Sequence, residues 1–159
     1  MDDFSDTKVY PAQVKIERIN FSIYELKRQY EDSKRVIIDP NFQREDVWKT
    51  DEQKSELIES ILMGIPLPTI YFSQDNSGQL QIIKGKECLF TIFDFINSKF
   101  KLSTLTLLSD LKDKSFTDLY GNQQIDIEDC IVMTYIVKPP TPTIIKKYIF
   151  NRIDNWEKI

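Results

Sequence analysis

Histidine is absent from the 159 residues of this chain. That excludes a Ser-His-Asp or Cys-His catalytic set and argues against a zinc site or a metal-dependent HNH nuclease within the sequence. Cysteine is nearly absent too: Cys88 and Cys130 stand alone, with neither metal-site nor redox spacing. Cys88 lies in an apolar helical run and Cys130 in a strand-like run, so both are expected to be buried and reduced. Four glycines and seven prolines are too few for a fibrous or disordered chain. No apolar run approaches the roughly 20 residues that a membrane-spanning helix needs. The opening MDDFSDTKVY is acidic and polar, without a signal-peptide pattern. The expectation is a soluble, cytoplasmic protein with no membrane partner, whose chemistry rests on carboxylates, lysines, hydroxyls or backbone groups.

What the sequence does have is core material. Hydrophobic residues make up 41% and aromatics 12%, enough for one domain over residues 1–159 that buries roughly 70% of its unfolded surface. A net charge of −4 argues against a general basic surface for nucleic acid but leaves room for a local basic pocket.

Residues 1–20 read as an irregular lead-in or an edge strand. Ser22 and Glu25 form an S-x-x-E capping box for a helix to about Asp32. Arg35–Ile38 is a short strand, stopped by Asp39-Pro40. Thr50 and Gln53 form a second capping box, for a helix through Met63 with Leu57, Ile58, Ile61 and Leu62 on one stripe. Gly64 caps that helix, and Pro66 and Pro68 prevent its extension. Thr69–Gln74 and Gln79–Ile83 flank the turn residues Asp75–Gly78, which predicts a hairpin. After Lys84-Gly85 a helix runs from about Lys86 to Ser98, apolar nearly all round and therefore central. Phe100–Leu108 is expected to contain a short strand and a turn. Ile125–Val137 reads as one long strand, interior to a sheet because both alternating sets are apolar from Cys130 onward. Thr141-Pro142 opens a last helix to about Ile153. Asp154–Ile159 reads as the run-up to more structure, so a longer protein is expected. The pattern is α+β, a small mixed sheet flanked by helices.

Three constellations carry candidate chemistry. Arg44, in the polar stretch Asp39–Trp48, has a planar fork suited to phosphate or carboxylate. The alternative, which spacing alone favours, is a surface arginine paired with Glu45 or Asp46. The Ile83-Lys84-Gly85-Lys86 junction joins a strand to a helix whose first N–H groups and dipole favour an anion. An ordinary tight turn with solvated lysines explains the same residues, and spacing favours that too. Lys138, Lys146, Lys147 and Arg152 lie in a stretch with no acid between Asp129 and Asp154; a solvated helix face is again the plainer reading. Adjacent acids such as Glu45-Asp46 and Glu128-Asp129 point different ways along an element and are not assigned a role.

Taken in order, DPNFQREDVW, KSELIESILMGIPLPTIYF, the glycine junction with LFTIFDFINSKFKL, and IFNRID resemble the N-terminal domain of GmrSD-type restriction proteins, over about Ile38 to Asp154. The resemblance implies a ParB/sulfiredoxin-like fold and a nucleotide-binding, often nucleotide-hydrolysing, domain in bacterial defence. It also implies a downstream HNH nuclease domain, which would lie beyond Ile159. The family's Q-R is intact as Gln43-Arg44. Its D-G-Q-Q-R falls on Lys84-Gly85-Lys86-Glu87-Cys88, where only the glycine remains. Its R-x-N falls on Arg152-Ile153-Asp154. An acid that could position a metal or water is thus Lys84, and an arginine that could grip phosphate is Cys88.

The expectation is therefore an α+β, ParB/sulfiredoxin-like domain with a rewired pocket and no residue assigned to catalysis or to a metal. Gln43, Arg44, Lys84, Gly85, Lys86 and Arg152 are the candidate nucleotide- or anion-binding residues. The ligand class is a nucleotide, such as a nucleoside triphosphate, or another phosphate-bearing molecule, bound without hydrolysis. DNA would be reached through a fuller protein. The alternatives are an active nucleotide hydrolase or nuclease module, and a pure protein-interaction scaffold.

Overall fold

In the computed structural model, residues 14–38 and 50–157 are described. Their strands are β1 (Ile16–Ser22), β2 (Val36–Ile38), β3 (Ile70–Gln74), β4 (Leu80–Lys84) and β5 (Ile131–Val137). Their α-helices are α1 (Ile23–Glu31), α2 (Asp51–Leu62), α3 (Lys86–Ile96), α4 (Gly121–Glu128) and α5 (Thr143–Glu157). The strands form one mixed sheet in the order β1-β5-β3-β4-β2. β1 runs antiparallel to β5 and β3 antiparallel to β4, while β5–β3 and β4–β2 are parallel. The fold is α+β, as the element pattern implies.

Period-2 alternation gives the sheet two faces of different character. On the inner face Val36, Ile70, Phe72, Leu80, Ile82, Val132 and Ile136 join a buried cluster with residues of α1 to α4, including Leu26, Ile58, Leu89, Ile92 and Ile127. A side chain such as Phe72, fully buried there, contributes about 1.5–3 kcal/mol. On the outer face lies α5, whose Ile149 and Phe150 pack against Ile83 and Val137. β5 is interior to the sheet, as its two-sided apolar pattern requires, and β1 and β2 are its edge strands. No helix among the described residues is long and apolar enough to cross a membrane.

Local chemistry explains where most elements start. Ser22 Oγ accepts the Glu25 N–H at 3.1 Å, and Thr50 Oγ1 accepts the Gln53 N–H at 3.2 Å. Glu25 does not complete a capping box: its carboxylate turns along α1 and accepts from Arg28 and Gln29. Asp75 Oδ1 accepts the N–H groups of Ser77 and Gln79 and so closes the β3–β4 hairpin.

Two expected strands are overturned. Phe100–Leu108 holds no strand. Three of its backbone donors are met by α2 side chains instead of a ladder: Glu59 Oε2 accepts the Leu107 and Leu108 N–H groups at 2.9 and 2.8 Å, and Ser55 Oγ accepts from Ser103. The strand expected over Ile125–Val137 is a helix, α4, followed by a shorter strand, β5. The Gln123 side chain accepts the Tyr120 N–H at 3.0 Å and starts that helix. Ile127 alone of its apolar residues is buried. The last helix also runs past Ile153, to Glu157.

The Arg28 hydrogen bond, then the Gln29 one, pull the Glu25 carboxyl from its ordinary 4.5 down to about 2. A depressed carboxyl stabilises the fold above its unfolded pKa and loses that contribution as pH falls through the folded value. Glu25→Gln is expected to flatten the loss of stability between about pH 4.5 and 2, read by acid titration of far-UV circular dichroism. A mutant curve parallel to wild type would refute it.

Candidate functional site

Simple alternation along β4 would put Lys84 on the inner face with Leu80 and Ile82. The sheet register prevents this. Phe72 faces Ile82, but its neighbour Tyr71 faces Lys84, so Ile83 is an extra residue in β4. Directly opposed residues share a face, and Tyr71 packs with Ile83, Val137, Ile149 and Phe150 on the outer one. The bulge therefore delivers Lys84 to the outer face, beneath α5. There its Nζ meets Asp154 Oδ1 at 3.1 Å, with the two side chains only 10% and 18% exposed.

Gly85 follows at φ +103°, and a Cβ on it would lie 2.3 Å from Ile70 Cδ1. Only glycine fits both the left-handed backbone and that contact. Its presence thus has a packing reason that stands without any ligand. Lys86 is half-buried at the first position of α3, next to Glu87 in the same turn, so a carboxylate already shares the positive end of the helix. Cys88 does not line the junction. It is 4% exposed within the inner core, and burial, with the nearby Cys130 and Glu87, pushes its thiol up to about 12. Cys130 is half-buried rather than fully buried, and desolvation raises its thiol as well.

The other candidates do not converge on the junction. Gln43 and Arg44, with the whole Asp39–Trp48 stretch, lie outside the described residues. Arg152 is exposed on α5, two positions before Asp154. Lys146, Lys147 and Arg152 are separated by about 100° to 140° around the helix, so they form no single basic stripe. Lys138 is held at 3.0 Å by Glu17 and also donates to Gln74. Among the described residues no three His, Cys, Asp or Glu side chains gather in a way that could hold a metal ion.

Two features escaped the sequence reading. One is Asp154 as the partner of Lys84. Its signal was that both charged departures from the resembled motifs have opposite sign. The other is a row across the outer face, Arg18, Tyr135, Tyr71 and Lys84, in mutual register on β1, β5, β3 and β4. Tyr71 and Tyr135 stack at 5.5 Å and 22° between planes, and the Arg18 guanidinium sits 5.3 Å from the Tyr135 centroid. No sequence signal marks that row, because strand register is a tertiary fact.

The ion pair generates a first prediction: a Lys84→Ala, Asp154→Ala double-mutant cycle should return a coupling of about 1–3 kcal/mol in chemical denaturation. Additive single mutants would show that the pair holds nothing together. The buried thiol generates a second. At pH 8 in the native state Cys88 should resist iodoacetamide, by mass spectrometry of the digested protein, and should react once the chain is unfolded. Rapid native labelling of Cys88 would contradict its placement in the core.

The family model described as "GmrSD restriction endonuclease, N-terminal domain" matches residues 23–156, which extends the stretch of resemblance toward the N-terminus and covers most of the chain. No curated protein and no solved structure matches it. With the glycine junction retained between β4 and α3, and the match running unbroken from α1 into α5, the chain belongs to the family of N-terminal domains of GmrSD-type restriction endonucleases.

Proposed function

We propose that this chain is a ligand-binding domain of a restriction-type defence protein that holds a nucleotide, or another phosphate-bearing molecule, without hydrolysing it. The observation that carries this reading is the Lys84–Asp154 ion pair. Phosphoryl transfer to water needs an acid to position a metal or the attacking water, and cationic donors on the transferring group. At this junction an ammonium occupies the position of the acid, and a carboxylate already engages that ammonium. Cys88, at the position of the arginine, is turned into the core. What supports binding is the positive end of α3 together with Lys86.

A second reading has its own support. Gly85 is explained by Ile70, and Lys84 by Asp154, so the junction also suits a closed clamp in a protein-interaction scaffold. Titration of the chain with ATP and Mg²⁺, followed by calorimetry and by a phosphate-release assay, tests both. Saturable binding without phosphate release is expected. Release above background would overturn the non-hydrolytic reading, and absence of any binding would favour the scaffold. Restoring the motif's acid and arginine by Lys84→Asp and Cys88→Arg would need Asp154→Asn beside them. Without the Asp154 change two carboxylates would meet at the distance now bridged by the ion pair.

A further inference from the structure

The chain leaves α2 through an apolar stretch whose exposure the helix cap does not explain. Gly64, at φ +78°, closes α2 with a Schellman motif: its N–H donates to Ile61 O at 3.0 Å, and the Ile65 N–H donates to Ser60 O at 2.9 Å. In that motif the residue at the Ile65 position usually packs on an apolar side chain of the last turn. Here those last-turn positions are Glu59 and Ser60, so Ile65 gains no cover from its own helix. Pro66 and Pro68 prevent any further helix. Met63, Ile65 and Leu67 then line, with Asp126, Cys130 and Ile131, a groove of about 500 Å³. Met63, Ile65 and Ile131 are 44%, 48% and 59% exposed, an apolar patch larger than scattered single residues would make. Met133, two residues along the same face of β5, is exposed as well, so the patch continues from the groove onto the sheet.

The geometry points to this groove as a docking site for a short cationic amphipathic segment of another protein. Apolar side chains of that segment cover Ile65 and Ile131, and its flanking lysines or arginines meet the acidic rim. The charge of the rim selects the partner. Asp126 lines the groove, and Asp129, three residues on at the end of α4, lies on the same side. Both are exposed, and among the described residues neither enters an ion pair. The segments that form the groove contain no lysine or arginine, and neither do the flanking residues 55–83 and 115–137. An uncompensated acidic rim beside exposed isoleucines attracts a cationic partner and repels nucleic acid or anionic lipid. A second copy of this chain is disfavoured for the same reason, because a two-fold contact through this face would bring the acids of both copies together. The groove shares no residue with the Lys84–Asp154 junction, so the inference is independent of the nucleotide reading.

Three labelled synthetic peptides, titrated with the full chain and read by fluorescence anisotropy, test this. One carries leucines at helical i, i+3, i+4 and i+7 spacing with lysines elsewhere. A second keeps the leucines and has glutamates for lysines; a third keeps the lysines and has serines for leucines. The leucine–lysine peptide is expected to bind saturably, and the other two at least about tenfold more weakly. Ile65→Ser and Ile131→Ser, both at exposed positions, should each weaken it by about tenfold. Asp126→Lys should weaken the leucine–lysine peptide and strengthen the leucine–glutamate one. Glu52→Lys makes the same change in net charge at the opposite end of α2, about 15 Å along the helix, and should alter neither. Thermal melts of each variant confirm that the fold is kept. Failure of the leucine–lysine peptide to bind overturns the inference, as does unchanged binding in folded Ile131→Ser. Equal effects of Glu52→Lys and Asp126→Lys would reduce the binding to net charge and overturn it too. A dimer in sedimentation that Ile131→Ser dissociates would assign the face to a second copy instead, against the inference.

Discussion

The outer face of this domain depends on one extra residue in β4. Ile83 is the unpaired position that shifts the register between Tyr71 and Phe72, and the Lys84–Asp154 contact under α5 follows from that shift. A regular strand would have driven the Lys84 ammonium into the core beside Leu80 and Ile82, at a desolvation cost of several kcal/mol. With the bulge, Ile83 packs against Val137, Ile149 and Phe150, and Lys84 reaches Asp154. The same device that spares the core a charge ties the last helix to the sheet.

The division of labour between the faces follows from this. The inner face is apolar and covered by four helices, which leaves it little freedom for a ligand. Cys88 belongs to that side, so its position in the resembled motif has been absorbed into packing. The outer face is covered over part of its area by α5, leaving Ile16, Met133 and Trp156 exposed near its margin. Tyr71, Lys84, Tyr135 and Asp154 are half-buried, where electrostatic contacts are stronger than in water but still accessible to solvent exchange.

At the junction the charges are paired in a way that composition could not show. A lysine beside a helix N-terminus would by itself attract phosphate, but a lysine held at 3.1 Å by a carboxylate presents much less field to a ligand. Arg18, at the far end of the same row, rests on the Tyr135 ring.

The α+β class, the helices opening at Ser22 and Thr50, the β3–β4 hairpin and the central α3 were all legible in the sequence, because each is governed by local periodicity, caps or turn residues within a few positions. The family was legible for a related reason: its motifs are short runs in a fixed order. The Ile125–Val137 stretch was not, because a short amphipathic helix and a half-buried strand look alike when both hold isoleucines, and packing of Ile127 on α2 decides between them. Nor was the site. The junction residues could be named from spacing, but the face to which Lys84 points, its bond to a residue 70 positions away, and the row joining Arg18 to Tyr135 all depend on strand register. Register is set by how several strands and helices fill space together, and that is decided only in the folded chain.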